Sequence, residues 1–201
     1  MQKKDAIGYI VRSAEKYQEY LLDKSMLLIF QSGRRSYNYE EVAFLKRNFA
    51  HLLGVEGAGI TPDVLFDLAI AHKLDSDNFR IISDIDDKVR VSENLMQLPF
   101  TAKMIGVHNN SGNFLYTEKL AGNVSGCIGF RMDSDANCLL PNTLLRVDIR
   151  EATREAYRID AIYIKQIGDD LYPHEPASRA KYLVGKDLRW PDDISVKILP
   201  D

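Results

Sequence analysis

The sequence predicts an α+β domain in which helices lead and a mostly antiparallel sheet follows. Three observations predict this. Apolar residues recur at helical spacing near the start, at Ile7, Ile10, Val11, Ala14, Tyr17 and Leu21. The last third holds extended runs punctuated by Gly, Asn and Pro, over 114–120, 122–132, 138–141 and 158–167. The 201 residues, 45% hydrophobic and 27% charged, suit one globular domain with its own core.

Composition narrows the function classes. A net charge of −3 argues against a protein that coats nucleic acid without specificity, although a local basic groove is compatible with it. Cys127 and Cys138 form no disulfide framework and no zinc pattern, which suggests reduced thiols in a cytoplasmic protein. No apolar run approaches the roughly 18 residues of a membrane span. The start of the chain is amphipathic, so neither a signal peptide nor a membrane partner is expected.

The elements follow in order. Residues 5–23 form the first amphipathic helix. Met26 to Phe30 is a short buried strand, Ser32-Gly33 a turn, and Tyr37 to Phe44 a second strand behind the basic pair Arg34-Arg35. Over 46–53, Phe49, Leu52 and Leu53 share one helical side, Arg47 and His51 the other, and Gly54 suits a left-handed helix end. An imidazole and a guanidinium four residues apart can serve a reaction at phosphate; the alternative is an ordinary solvated face. Thr61-Pro62-Asp63 starts another helix, and His72 reads as a structural histidine. Ser83 to Asp87 lacks the glycine and glutamate of a calcium loop and is an acidic helix start. Pro99 breaks that helix. Phe100 to Val107 is expected to be a second helical piece that presents Lys103, with a loop after it at 109–113. Asn142-Thr143 stands where Pro141 is expected to end a strand. Residues beyond 169 are less regular, with Ile194 to Leu199 as an edge strand.

Several short motifs occur in a particular order: Asn48-Phe49-Ala50-His51-Leu52-Leu53-Gly54-Val55, Ala102 to Gly106, Ala121 to Val124, Gly129-Phe130, Pro141 to Leu144 and Asp148-Ile149-Arg150. Together they resemble the phage-associated nuclease-like domains of the barnase, EndoU, colicin and RelE superfold, and are most similar to the fourth PBECR group. The resemblance covers roughly residues 26–168. It implies N-terminal helices packed on a four-stranded antiparallel sheet. The domain would then be residues 1–168, with 169–201 an extension packed on it.

The resemblance also implies metal-independent RNA cleavage of a toxin or effector type. In such chemistry the substrate's 2′-hydroxyl attacks its own phosphate, so a base, an acid and cations are needed. His51 matches a position where the family has a histidine and is the candidate general acid or base. Lys119 is a candidate to neutralise the phosphorane and Thr143 to hydrogen-bond a phosphate oxygen. Arg47, Lys103, Asn142 and Lys165 are candidate substrate contacts. The Arg47/His51 side is expected to face the sheet surface that carries Lys119. No second histidine stands out, since His108 lies beside a loop and His174 in the tail. No metal or cofactor is expected. The expected partners are RNA, tRNA among the candidates, and an immunity or antitoxin protein. Two other readings keep the fold without catalysis: an RNA- or protein-binding module, and an assembly protein of a phage or integrated element.

Overall fold

In a computed structural model the chain is described over residues 1–33, 36–109, 117–134 and 137–200. Helix α1 (Lys3–Tyr20) buries Ala6, Ile10, Ala14 and Tyr17, the stripe that its periodicity predicts. Strands β1 (Lys24–Gly33) and β2 (Ser36–Phe44) form an antiparallel hairpin. Three helices follow: α2 (Asn48–Leu53), α3 (Pro62–Ile70) and α4 (Ile85–Leu95). The Thr61 hydroxyl caps α3 by accepting from the Val64 amide, and Pro62 sits in the first turn. Short strands β3 (Val55–Gly57) and β4 (Phe79–Ile81), which the sequence did not reveal, pair to each other beside these helices. After α5 (Leu98–Thr101) come β5 (Met104–His108), β6 (Lys119–Gly122), β7 (Cys127–Asp133) and β8 (Cys138–Leu145). Helix α6 (Ile149–Ala152) then leads into the long β9 (Thr153–Gln166), and β10 (Ser178–Arg179) adds an edge.

The sheet corrects the predicted fold. It has eight strands in the order β1-β2-β8-β7-β6-β5-β9-β10, and β1 also pairs with β9, which closes seven of them into a barrel. The barrel is mixed, because β2 meets β8 in parallel at Val42↔Leu139. A four-stranded antiparallel sheet under N-terminal helices is therefore not the architecture. The leading hairpin β1–β2 belongs to the sheet, and β9 is long enough to pair with β5 through its first half and β1 through its second.

Local expectations fail for local reasons. Residues 104–108 are strand, not helix, because they pair with β6 on one side and β9 on the other, long-range ladders that local periodicity does not record. Pro141 does not end its strand. It stands at a bulge, where Phe130↔Pro141 is followed by Gly129↔Thr143, so Asn142 is the extra residue. The stretch 194–199 begins in a helical turn, α7 (Asp192–Ser195), and joins the rest through a Tyr172↔Ile198 bridge. Residues 114–116 of the strand expected over 114–120, residues 110–113 of the loop expected before it, and the Arg34-Arg35 pair lie outside the described residues, while Lys119 and Leu120 open β6.

One core unites barrel and helices. Tyr17 packs edge-on against Phe44, Phe49 and Phe66, and Phe44 against Phe130. A second cluster lies on the other side of β1 and β9, where Leu27, Ile29, Ala161 and Tyr163 meet Tyr172 and Ile194 from the C-terminal segment. Trp190 donates to the Tyr163 hydroxyl at 2.8 Å, and Lys197 pairs with Glu41 at 2.9 Å. Among the described residues, no helix is long and apolar enough to cross a membrane.

A candidate active-site cleft between α2, α4 and β8

Helix α2 buries Phe49, Ala50, Leu52 and Leu53, which leaves His51 as its outward residue. Gly54 ends the helix at φ 71°, and its amide returns to the carbonyls of His51 and Ala50. A Cβ there would stand 1.9 Å from the Ser83 hydroxyl, so glycine also lets the α3–α4 connection close over the helix end.

Helix α4 supplies the cation. Ile85, Val89, Ser92 and Leu95 are buried on its inner side. Lys88 follows Ile85 by one turn and so emerges from that apolar stripe. Its Nζ donates to the Leu52 carbonyl at 3.1 Å and to the Thr143 hydroxyl at 3.0 Å. The first bond satisfies a carbonyl at the open end of α2. The second ties α4 to β8. Burial pushes the Lys88 ammonium down to about 8.

Strand β8 supplies the floor. Thr143 lies opposite Gly129, and a Cβ on Gly129 would sit 2.8 Å from the methyls of both Thr117 and Thr143. Glycine in mid-strand is thus what lets the two threonines pack across β7. The Thr117 hydroxyl donates to Asn142 Oδ1 at 3.1 Å and orients the bulged side chain.

The result is a cleft of about 670 Å³ lined by His51, Lys88, His108, Asn109, Asn142, Thr143 and Arg146, with Ser83, Asp84 and Asp87 on one rim. Arg146 pairs with Asp87 at 2.9 Å. His51 stays exposed at the mouth. Its pKa is lowered first by partial burial and then by the charges of Lys88 and Arg131. The imidazole is therefore neutral and able to accept a proton at pH 7, while an ammonium waits beside it. His108, which its place beside a loop made easy to dismiss, is 7% exposed at the end of β5 and brings a second imidazole to the same cleft.

The family model described as phage-Barnase-EndoU-ColicinE5/D-RelE like nuclease4, PBECR4, matches residues 9–181. The chain belongs to that family. PBECR4 members are by that description nuclease-like, which makes nucleic acid the substrate class to test against the cleft. Neither curated proteins nor solved structures gave a match.

Of the residues singled out in this PBECR4 chain, His51, Asn142 and Thr143 line one cleft. The others stand elsewhere. Lys119 pairs opposite Phe130, whereas Leu120, Gly129 and Thr143 align on the other face of the sheet. Lys119 instead binds Glu40 at 2.6 Å. The His51 side of α2 accordingly looks toward Lys88 and Thr143 rather than toward Lys119. Arg47 is exposed at the start of α2. Lys103 donates to the Phe100 carbonyl at 2.9 Å, and Lys165 to the Asp170 carbonyl at 3.1 Å beside Tyr172. Lys88 was missed, yet it left a signal: a lysine inside the apolar stripe Ile85, Val89, Ser92, Leu95.

Proposed function

We propose that the chain cleaves RNA by attack of the 2′-hydroxyl on the adjacent phosphate, in the cleft between α2, α4 and β8. The observation that carries this reading is the Lys88 ammonium, desolvated and held 3.0 Å from Thr143 in the cleft that His51 lines. A partly buried cation held by a carbonyl and a hydroxyl is poised for an anion.

His51, neutral at pH 7, takes the proton of the 2′-hydroxyl. As the oxygen attacks, the phosphorane gains negative charge on its non-bridging oxygens. Lys88 and the Thr143 hydroxyl meet that charge from fixed positions, so little reorganisation is needed as it develops. The bond to the 5′-oxygen breaks and a 2′,3′-cyclic phosphate forms. The leaving 5′-oxygen takes up a proton from water in the part of the cleft that His108 lines. Asn142 places the flanking phosphate. His51 takes up the proton and Lys88 with Thr143 meets the developing charge, so no step of this scheme calls for a metal ion.

The test is cleavage of tRNA and total RNA in EDTA by the wild-type chain, His51→Ala and Lys88→Ala, with products read for cyclic phosphate ends. Cleavage by the wild type that both substitutions abolish is the expected result. Equal cleavage by all three, or none by any across substrates and pH, would overturn the reading.

A further inference from the structure

A second cavity, of about 440 Å³, opens at the far end of the β5–β9 strand pair, lined by Lys103, Met104, Arg158, Asp160, Ser178 and Lys181 among others. Asp160 is 1% exposed. Its Oδ1 accepts from the Tyr182 hydroxyl. Its Oδ2 is fully buried and, among the described residues, receives no hydrogen bond. Buried acceptors are ordinarily satisfied, and leaving one bare is unfavourable.

The backbone explains how the carboxylate comes to be there. Against β1, the register of β9 slips, with Phe30↔Ile159 followed by Ile29↔Ala161. Asp160 is the extra residue of that bulge, a position that re-aims a side chain. Burial first, then the bond to Asp160, pushes Tyr182 up to about 12, so the phenol stays protonated and goes on donating to Oδ1.

Around this carboxylate stand Lys103, Arg158 and Lys181, all exposed at the cavity rim. The Arg158 guanidinium carbon stands over the Tyr182 ring, 4.7 Å from its centre. The set makes two demands on an occupant. Oδ2 needs an N–H donor, and the rim needs negative charge. A guanidinium or ammonium meets the first and is repelled by the second. Inorganic phosphate meets only the second. A nucleotide meets both.

We propose that this cavity binds a nucleotide, with Asp160 accepting N–H groups from the base edge and Arg158 and Lys181 holding the phosphate. Guanine suits it best, because its imino and amino groups present two adjacent donors to one carboxylate, and Oδ1 retains a second lone pair. Met104 offers an apolar wall to the ring. The cavity and the His51 cleft lie at opposite ends of β5, where Met104 and His108 share a face about 13 Å apart at the usual rise of a strand. A role in choosing the RNA substrate rests on the cleavage reading; nucleotide binding itself does not.

The experiment is isothermal titration at low salt with GMP, IMP, AMP, CMP and UMP, on the wild type, His51→Ala, Asp160→Asn and the double variant Arg158→Ala/Lys181→Ala. GMP is expected to bind tightest and to bind His51→Ala unchanged. Asp160→Asn should weaken GMP about tenfold or more, the scale of a lost base-edge contact. The double variant should weaken all five nucleotides alike and flatten the salt dependence. IMP, which lacks the amino group, tests the same contact on the wild-type chain, so the result does not hinge on Asp160→Asn folding; it should bind several-fold more weakly. No nucleotide binding, binding indifferent to both base and Asp160, or preference for arginine amide over every nucleotide would overturn the proposal. Binding retained by a chain that cleaves nothing would uphold it and sink only the cleavage reading.

Discussion

Lys88 and Lys119 are held in opposite ways. Lys119 sits on the sheet face that also carries Phe130, and its charge meets Glu40 at 2.6 Å. Lys88 leans on a carbonyl and a hydroxyl, and burial has lowered its pKa to about 8. A cation neutralised within the fold has little left to offer a ligand. A cation stripped of water and given only dipoles is destabilised until an anion arrives. The difference separates a lysine neutralised within the fold from one left able to meet an anion.

The comparison breaks or holds on activity first. His51→Ala should lower RNA cleavage by about 10²–10⁴, the usual scale of a lost acid–base group. Lys88→Ala should lower it by roughly 10²–10³, as expected for loss of transition-state charge stabilisation. Initial rates on one tRNA substrate measure both.

On the other face the effect should appear as stability. Phe130→Ala empties a site packed edge-on against Phe44 and should cost about 3–5 kcal/mol in urea unfolding. If it lowered activity with no loss of stability, the division of the sheet into a packing face and a working face would be wrong.

The pH profile sharpens the account of Lys88. Cleavage should rise with pH through the lowered pKa of His51, as the imidazole loses its proton and becomes a base. It should fall above about 8, as Lys88 loses the charge that meets the phosphorane. Lys88→Arg keeps its charge at any practical pH and should remove the alkaline limb even where the rate is lower. An alkaline limb that persists in that variant assigns it to another group.

The smallest effect is expected at Lys119. Lys119→Met should leave cleavage within about twofold and change stability by no more than about 1 kcal/mol, the worth of a partly exposed ion pair. A loss of activity comparable to that of Lys88→Ala would reverse the comparison.

What could be read beforehand was what is encoded locally. Helix α1, the Thr61 cap and the Gly54 stop are written in periodicity and capping chemistry, and they stand where expected. Asn142 and Thr143 were drawn to attention by Pro141, although the strand runs on through a bulge. The barrel was not legible. Its closure needs Leu28 beside Ile162, residues far apart in the chain, and no local pattern records such a pairing. Lys88 was legible only as an anomaly, since a lysine in an apolar stripe becomes informative once its carbonyl and hydroxyl partners are known. His108 was hidden because β5 read as helix, which left the residue without a face.

The single parallel contact between β2 and β8, Val42↔Leu139, changes what kind of object the barrel is. The hairpin and β9 hold their neighbours through long ladders, while among the described residues this seam is held by one backbone pair, and Phe44 of β2 reaches past it to Phe130 of β7. The molecule is a clasp rather than a hoop. Its fastening runs beside β8, the strand that carries Thr143, and α2 with His51 follows directly from β2. Loosening of the fastening is therefore expected to shift Thr143 relative to His51, so the width of the cleft depends on one short seam.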